Sequence, residues 1–217
     1  LAAFKSLEIE NNPHLLILSA DHQIHNEKKF RDLIELGMSY SEKDKLVTFG
    51  VIPRSPEIGY GYIKSEKPFK LENIEGINIS KFIEKPNLET AKKLIKDKRF
   101  TWNSGIFLFK AKTIINEIKL LNPKIYEVCK KTFENSIMDL DFQRLDEKSF
   151  EFCPNISIDI AVMEKTKKGI VLPLDAQWSD IGSWKSVWEN SKKDINGNVE
   201  KGNVITQNTE NCYLHSE

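Results

Sequence analysis

The chain has 217 residues, 40% of them hydrophobic, and its 32 basic residues balance 32 acidic ones. A chain of this length buries roughly 70% of its unfolded surface, so its core needs no disulfide or metal staple. The charge balance argues against nucleic acid or an anionic membrane as the main partner, and no run approaches the ~20 apolar residues of a membrane helix.

The opening LAAFKSLEIE reads as the end of an amphipathic helix, without an initiator Met and without the n- and h-regions of a signal peptide. The chain is therefore expected to begin inside a longer protein. His14–Ala20 (HLLILSA) predicts a buried strand ending at the polar trio Asp21, His22 and Gln23. A helix over 26–40 comes next, with Phe30, Leu33, Ile34 and Met38 on one face. Leu46–Val51 predicts a second buried strand, stopped by Pro53 and Pro56, and this strand–helix–strand spacing predicts a crossover unit with a parallel pair.

Short strands are expected near Gly61–Ser65 and Ile79–Ile83. Asn87 is a candidate N-cap for a helix with Leu88, Ala91, Leu94 and Ile95 on its inner face. Gly105–Lys110 reads as a strand buried on both faces, and helical periodicity dominates from Lys112 to about Lys148. Ser157 is a candidate cap with Ile158, Ala161 and Val162 inward; Ile170–Leu174 is a strand; Ser183 caps a helix whose inner face is Trp184, Val187 and Trp188. After Asp194 the texture changes. Turn signals at Asn196-Gly197-Asn198 and Lys201-Gly202-Asn203 frame short β segments. Residues 1–194 are thus expected as one core and 195–217 as the opening of an all-β unit. Cys129, Cys153 and Cys212 stand far apart with no CxxC spacing, which fits a reducing compartment. Each reads as a small buried apolar residue.

Several polar residues sit where ligands bind. Asp21 comes after a buried strand, and in open α/β sheets ligands lie beyond the carboxyl ends of strands; an Asp there also serves as a turn or N-cap residue. Asp180 stands between a β-like segment and a helix, where it would equally tie down a turn. Brought together, the two would suit Mg²⁺, which takes one or two carboxylates with phosphate oxygens and water. Gly59-Tyr60-Gly61-Tyr62 lets backbone approach a ligand closely, as a sugar site requires, or else forms a bulge. Glu84 and Lys85 offer an acceptor and a cation, or a plain surface ion pair. Asn103 can donate and accept at once, which would bridge vicinal hydroxyls, or else it satisfies a turn. Asp159 lies in the first turn of its helix, where the macrodipole alone favours an acid.

Taken in order, SADHQI (19–24), VTFGVIPRSPEIGYGYI (47–63), FIEKP (82–86), WNSGIFLF (102–109), SIDIAVMEKT (157–166) and WSDIGSW (178–184) closely resemble the mannose-1-phosphate guanylyltransferase family across essentially the whole chain. The resemblance implies a Rossmann-like, GT-A-like nucleotidyltransferase core, an α/β mixed sheet flanked by helices, and after it the start of a left-handed β-helix. It implies a cytoplasmic enzyme in which mannose 1-phosphate attacks the α-phosphate of GTP, giving GDP-mannose and pyrophosphate. Mg²⁺ would fall to Asp21 and Asp180, with Lys85 near the sugar phosphate and these three as the catalytic set. Sugar contacts would fall to Gly61, Tyr62, Glu84, Asn103 and Asp159.

Three departures stand out. The family's Gly-rich GG-G-TRLWP-SR signature is expected upstream of Leu1, so the chain by itself is expected to turn over weakly or not at all. Ile58 stands where the family usually has Thr, and Ile160 where it usually has Tyr, a position still suited to an apolar packing residue. Competing readings are a pyrophosphorylase for another sugar or nucleotide, and a non-catalytic subunit of the same fold. An exposed strand edge makes a homodimer a further expectation.

Overall fold

The computed structural model describes residues 1–216; residue 217, the last of the expected all-β unit, lies outside them. Helix α1 (Ala2–Ile9) leads into β1 (His14–Ile17), β2 (Gln23–Ile24), α2 (Glu27–Ser41), β3 (Leu46–Val51), β4 (Tyr62–Ser65) and β5 (Ile77–Ile83). Then come α3 (Leu88–Leu94), β6 (Phe100–Lys110), α4 (Ala111–Leu121), α5 (Pro123–Glu134), the hairpin β7 (Ile137–Asp139) and β8 (Phe142–Arg144), and α6 (Glu147–Phe150). A single wide turn (Asp159–Met163), β9 (Gly169–Leu174), β10 (Trp178–Ser179), α7 (Trp184–Asn190), β11 (Val199–Lys201) and β12 (Tyr213–His215) complete the order.

The main sheet runs β1-β6-β3-β9-β5-β4. β1 and β3 point the same way, as a crossover unit requires, but they are not neighbours. β6 lies between them, antiparallel to both, and the parallel neighbour of β3 is β9. Side chains alternate along each strand, so β3 sends Val47, Phe49 and Val51 to the layer that holds Leu33 of α2. Its Leu46 joins Phe107, Phe109 and Ile114 of α4 on the other face. Both faces are therefore covered, as the apolar runs of β3 and β6 predict.

β6 holds the key irregularity. Thr48 pairs with Phe107 and Gly50 with Asn103, so two steps along β3 are matched by four along β6. The extra residues form a bulge at Ser104-Gly105-Ile106, and Gly105 takes the positive φ of 70° that the bend requires. On one side of the bulge β6 pairs with β1, up to Ile17 opposite Phe107. On the other it pairs with β4, Tyr62 opposite Trp102. β1 consequently ends at Ile17, short of the Ala20 predicted for it, because its partner strand turns away.

Gly50 faces this change of neighbour. A Cβ there would lie 2.2 Å from Thr101 Oγ1, 2.7 Å from Thr101 Cβ and 2.8 Å from Val171 Cγ2. Overpacking of this kind costs about 1–3 kcal/mol. Gly50→Ala is therefore expected to lower the melting temperature by roughly 2–12 °C in a thermal melt.

Asn87 and Ser183 cap their helices as expected, and Asn26 does so at the start of α2, accepting from the amides of Thr90, Ser186 and Lys29. Other expectations need correction. The helical stretch to Lys148 is broken by the hairpin β7–β8, whose turn carries Leu140 at φ 52°; no Gly or Asn advertises it. Met38, Leu88 and Trp184 are exposed rather than inward. Trp184 instead lies 5.4 Å from the Tyr213 ring, tying α7 to the last strand. The helix expected after Ser157 is one wide turn in which the Glu164 amide bonds to the Asp159 carbonyl, five residues back, although Ala161 and Val162 do face the core. Such turns inside helices recur at functional sites.

The last segment is built on Asp194 and Asn198. The Asp194 carboxylate accepts from the amides of Asn196 and Asn198, while buried Asn198 donates to the Thr209 carbonyl and accepts from the Cys212 amide. β11 and β12 then pair in parallel.

Candidate active site

The sugar-contact candidates converge beside the β6 bulge. The Asn103 amide donates to the Gly61 carbonyl at 2.7 Å, fixing β4 against β6. A Cβ on Gly61 would come within 2.7 Å of Glu84 Oε2 and 3.5 Å of Asn103 Cβ. The missing side chain at 61 is what leaves room for the Glu84 carboxylate. Asn103 Nδ2 donates to Asp159 Oδ1 at 2.9 Å. Its Oδ1 is occupied within the protein, accepting from the Gly105 amide at 3.2 Å and from Thr48 Oγ1 at 3.3 Å. Asn103 therefore orients Asp159 and keeps one N–H for a ligand, which is less than the two-way bridge expected of it.

Glu84 and Asp159 form an acidic pair in a confined space. Burial pushes the Asp159 carboxyl up, while hydrogen bonds from its own backbone, Asn103 and Ser157 pull it back. Burial also raises Glu84, with the Asp159 charge next in effect; Lys85 works the other way. Lys85 Nζ lies 3.6 Å from Glu84 Oε1 and is mostly exposed, on a backbone at φ 41°. The cation stands at the rim of the acidic pair, available to an incoming phosphate.

Tyr62 sits elsewhere than expected. Its ring is fully buried and its hydroxyl donates to the Glu57 carbonyl at 2.8 Å. It props the loop before Gly61 from beneath and presents no side-chain atom to a ligand. Ile160 does not pack inward as its apolar character suggested; it is 42% exposed, and Ile58 is exposed as well.

The second half of the site rests on the short pair β2–β10. Its register sets Trp178 opposite Ile24 and Ser179 opposite Gln23. The paired register ends there, with Asp180 directly after β10 and His22 and Asp21 directly before β2. The two aspartates, at opposite ends of the sequence, thus reach the same end of one ladder. Asp180 Oδ1 is buried without a hydrogen-bond partner, while the Asp21 side chain is 74% exposed. A buried carboxylate oxygen without a partner is a donor of the kind a hard divalent cation takes, with phosphate and water completing its shell. Among the described residues no group of three or more His, Cys, Asp or Glu is arranged for a metal. His22 takes a supporting role: its Nδ1 accepts from Trp178 Nε1 at 3.3 Å, which places the ring proton on Nε2, 3.9 Å from Asp21 Oδ1.

Aromatic rings join the two halves. Tyr60 packs edge-on against Trp102 at 5.2 Å and against Trp178 at 5.5 Å, and His22 meets Trp178 at 5.1 Å. Burial, followed by the nearby Asp180 carboxylate, drives the Tyr60 phenol well above its usual range. Sequence reasoning placed Tyr60 beside its glycines but missed this linking position, because the residues it joins lie on three different segments. The GYGY spacing next to two Trp-containing motifs was the available signal.

Comparison with known proteins identifies the family. The nucleotidyl transferase family model covers residues 2–197. The mannose-1-phosphate guanylyltransferase of Salmonella montevideo is 50% identical over 100% of this chain and 46% of its own length. That of Escherichia coli (strain K12) is 44% identical over 96% of this chain and 44% of its own. The chain spans about half the length of the curated relatives it matches. Among solved structures, the mannose-1-phosphate geranyltransferase of Thermus thermophilus superposes with a TM-score of 0.81 at 25% identity, over 99% of this chain and 60% of that one. With its mixed sheet, covered faces and ordered motifs, the chain belongs to the nucleotidyl transferase family.

Proposed function

We propose that the protein transfers GMP from GTP to mannose 1-phosphate, giving GDP-mannose and pyrophosphate, and that Asp21 and Asp180 hold the Mg²⁺ the reaction uses. The observation that carries this reading is the gathering of Glu84, Asn103 and Asp159 around the side-chain-free Gly61, and the flanking of one end of the β2–β10 ladder by Asp21 and Asp180 supports it. Glu84 and Asp159 accept from sugar hydroxyls, and Asn103 holds Asp159 in place and gives its remaining N–H to the sugar. Lys85 offsets the charge of the sugar phosphate, whose oxygen attacks the α-phosphate of GTP in line as pyrophosphate leaves. Mg²⁺, when bound, supplies charge neutralisation on the phosphate oxygens. Tyr60 and Trp178 wall off one side of the space between sugar and metal.

The reading extends to the rest of the chain. Residues 1–194 form the nucleotidyltransferase core, and those from 195 onward start a left-handed β-helix. The parallel pairing of β11 with β12 supports that start, since parallel neighbours need a crossover rather than a hairpin. Among the described residues no helix is long and apolar enough to cross a membrane. A cytoplasmic location and a homodimer formed through the outer edge of β1 complete the proposal.

The test is an assay of the sequence within a chain of its relatives' full length, supplied with GTP, Mg²⁺ and mannose 1-phosphate. GDP-mannose and pyrophosphate are expected in equal amounts. Absence of turnover with any sugar 1-phosphate would overturn the reading, and turnover with a different one would reassign the sugar.

A further inference from the structure

Two of the three cysteines, 24 residues apart in sequence, meet in space. Cys129 Sγ, on α5, lies 4.0 Å from Cys153 Sγ, just beyond α6. Both are half-buried. Cys212 is engaged elsewhere, its Sγ directed at the Glu210 carbonyl at 3.2 Å. We propose that Cys129 and Cys153 are a redox modification site, a dithiol that closes to an intramolecular disulfide when a low-molecular-weight disulfide is the oxidant.

The step balances by thiol–disulfide exchange. One thiolate attacks the small disulfide and expels one small thiol, and the second thiolate then attacks the protein-bound sulfur and expels the other. Two protein thiols are oxidised, one small disulfide is reduced, and two small thiols are released. Closing the bond brings the sulfurs from 4.0 Å to about 2.05 Å, an approach that rotation of two half-buried side chains can share. Burial and the neighbouring Cys153 push the Cys129 thiol up, so closure accelerates as pH rises.

The position of Cys153 gives the bond a consequence for the candidate site. Six residues later the chain reaches Asp159. The helix that carries Cys129 already grips this segment through its N-cap residue Asn122, whose Nδ2 donates to the Ala161 carbonyl. A disulfide adds a covalent tether between α5 and the segment bearing Asp159. Reduced, the segment is held by packing and hydrogen bonds; oxidised, it is pinned at both ends.

Oxidised glutathione is the probe, added to the 217-residue chain at neutral and mildly alkaline pH. The expected product carries no intermolecular disulfide and is two hydrogens lighter per chain, and a non-reduced peptide map links Cys129 to Cys153. Cys129→Ala and Cys153→Ala each abolish the product, and Cys212→Ala retains it. Amide exchange over residues 153–164 slows several-fold on oxidation and recovers with dithiothreitol. These readouts do not depend on catalysis. Glutathione adducts on single cysteines, a bond through Cys212, disulfide-linked dimers, or unchanged exchange over 153–164 in the linked protein would each overturn the proposal.

Discussion

Asp159→Asn is expected to weaken mannose 1-phosphate binding by roughly 10- to 150-fold and, in the same protein, to raise stability at neutral pH. The first effect comes from losing a charged acceptor for a sugar hydroxyl, a bond worth about 1.5–3 kcal/mol. The second comes from the raised carboxyl. Burial makes the native state hold the Asp159 proton to higher pH than the unfolded chain does. Between the two pKa values the native state binds more protons, so stability falls as pH rises through that window and the cost is fully present above it. An amide at 159 removes the ionisable group and the cost together, while its oxygen still accepts from Asn103 Nδ2. The stability gap between variant and parent should close as pH falls below the usual carboxylate range. Titration calorimetry with mannose 1-phosphate and thermal melts over a pH series check both halves. Unchanged affinity together with a lower melting temperature would mark Asp159 as structural. Glu84→Gln should act in the same direction, and the pair should be less than additive, because each charge raises the other's cost.

How far this site was legible from sequence depends on the kind of residue. β3 and β9 are continuous apolar runs that admit one reading, and Asn26, Asn87 and Ser183 are local signals whose partners lie three residues away. The ordered motifs led to Gly61, Glu84, Asn103 and Asp159, and the structure gathers these four. The way they gather was not visible. It depends on a bulge in β6 that appears only once β3 and β6 are in register, and on a change of neighbour from β1 to β4 that no single segment encodes. Tyr62 shows the converse error. Its motif points to the sugar, yet strand alternation turns its ring into the core, where its hydroxyl meets the Glu57 carbonyl of the preceding loop. The cysteine pair was hidden for the same reason as Tyr60: sequence spacing says nothing about helices that pack later. Leu140 misled in another way, since a bulky residue at positive φ closes a hairpin that composition alone reads as helix.

Asp180→Asn is expected to reduce kcat by about a thousandfold in a chain of the relatives' full length, on the proposed reading that Asp180 holds Mg²⁺. Loss of one metal-binding carboxylate removes several kcal/mol of charge stabilisation at the transferred phosphate, and ~4 kcal/mol corresponds to that factor. The amide keeps the shape, so packing beside Gly182 is preserved; a Cβ there would already lie 3.2 Å from Asp180 Oδ2. A second readout separates a metal role from a merely structural one. The Tyr60 phenol is raised by burial first and by the Asp180 carboxylate second. Neutralising residue 180 should therefore lower the Tyr60 pKa without returning it to normal, which ultraviolet titration of the phenol measures. The Mg²⁺ concentration needed for half-maximal rate should rise in the variant, and Asp21→Asn should share that rise while leaving Tyr60 less affected. A thousandfold loss with an unchanged Mg²⁺ requirement would remove Asp180 from the metal. An unchanged Tyr60 titration would show that the carboxylate does not face the ring that joins the two halves of the site.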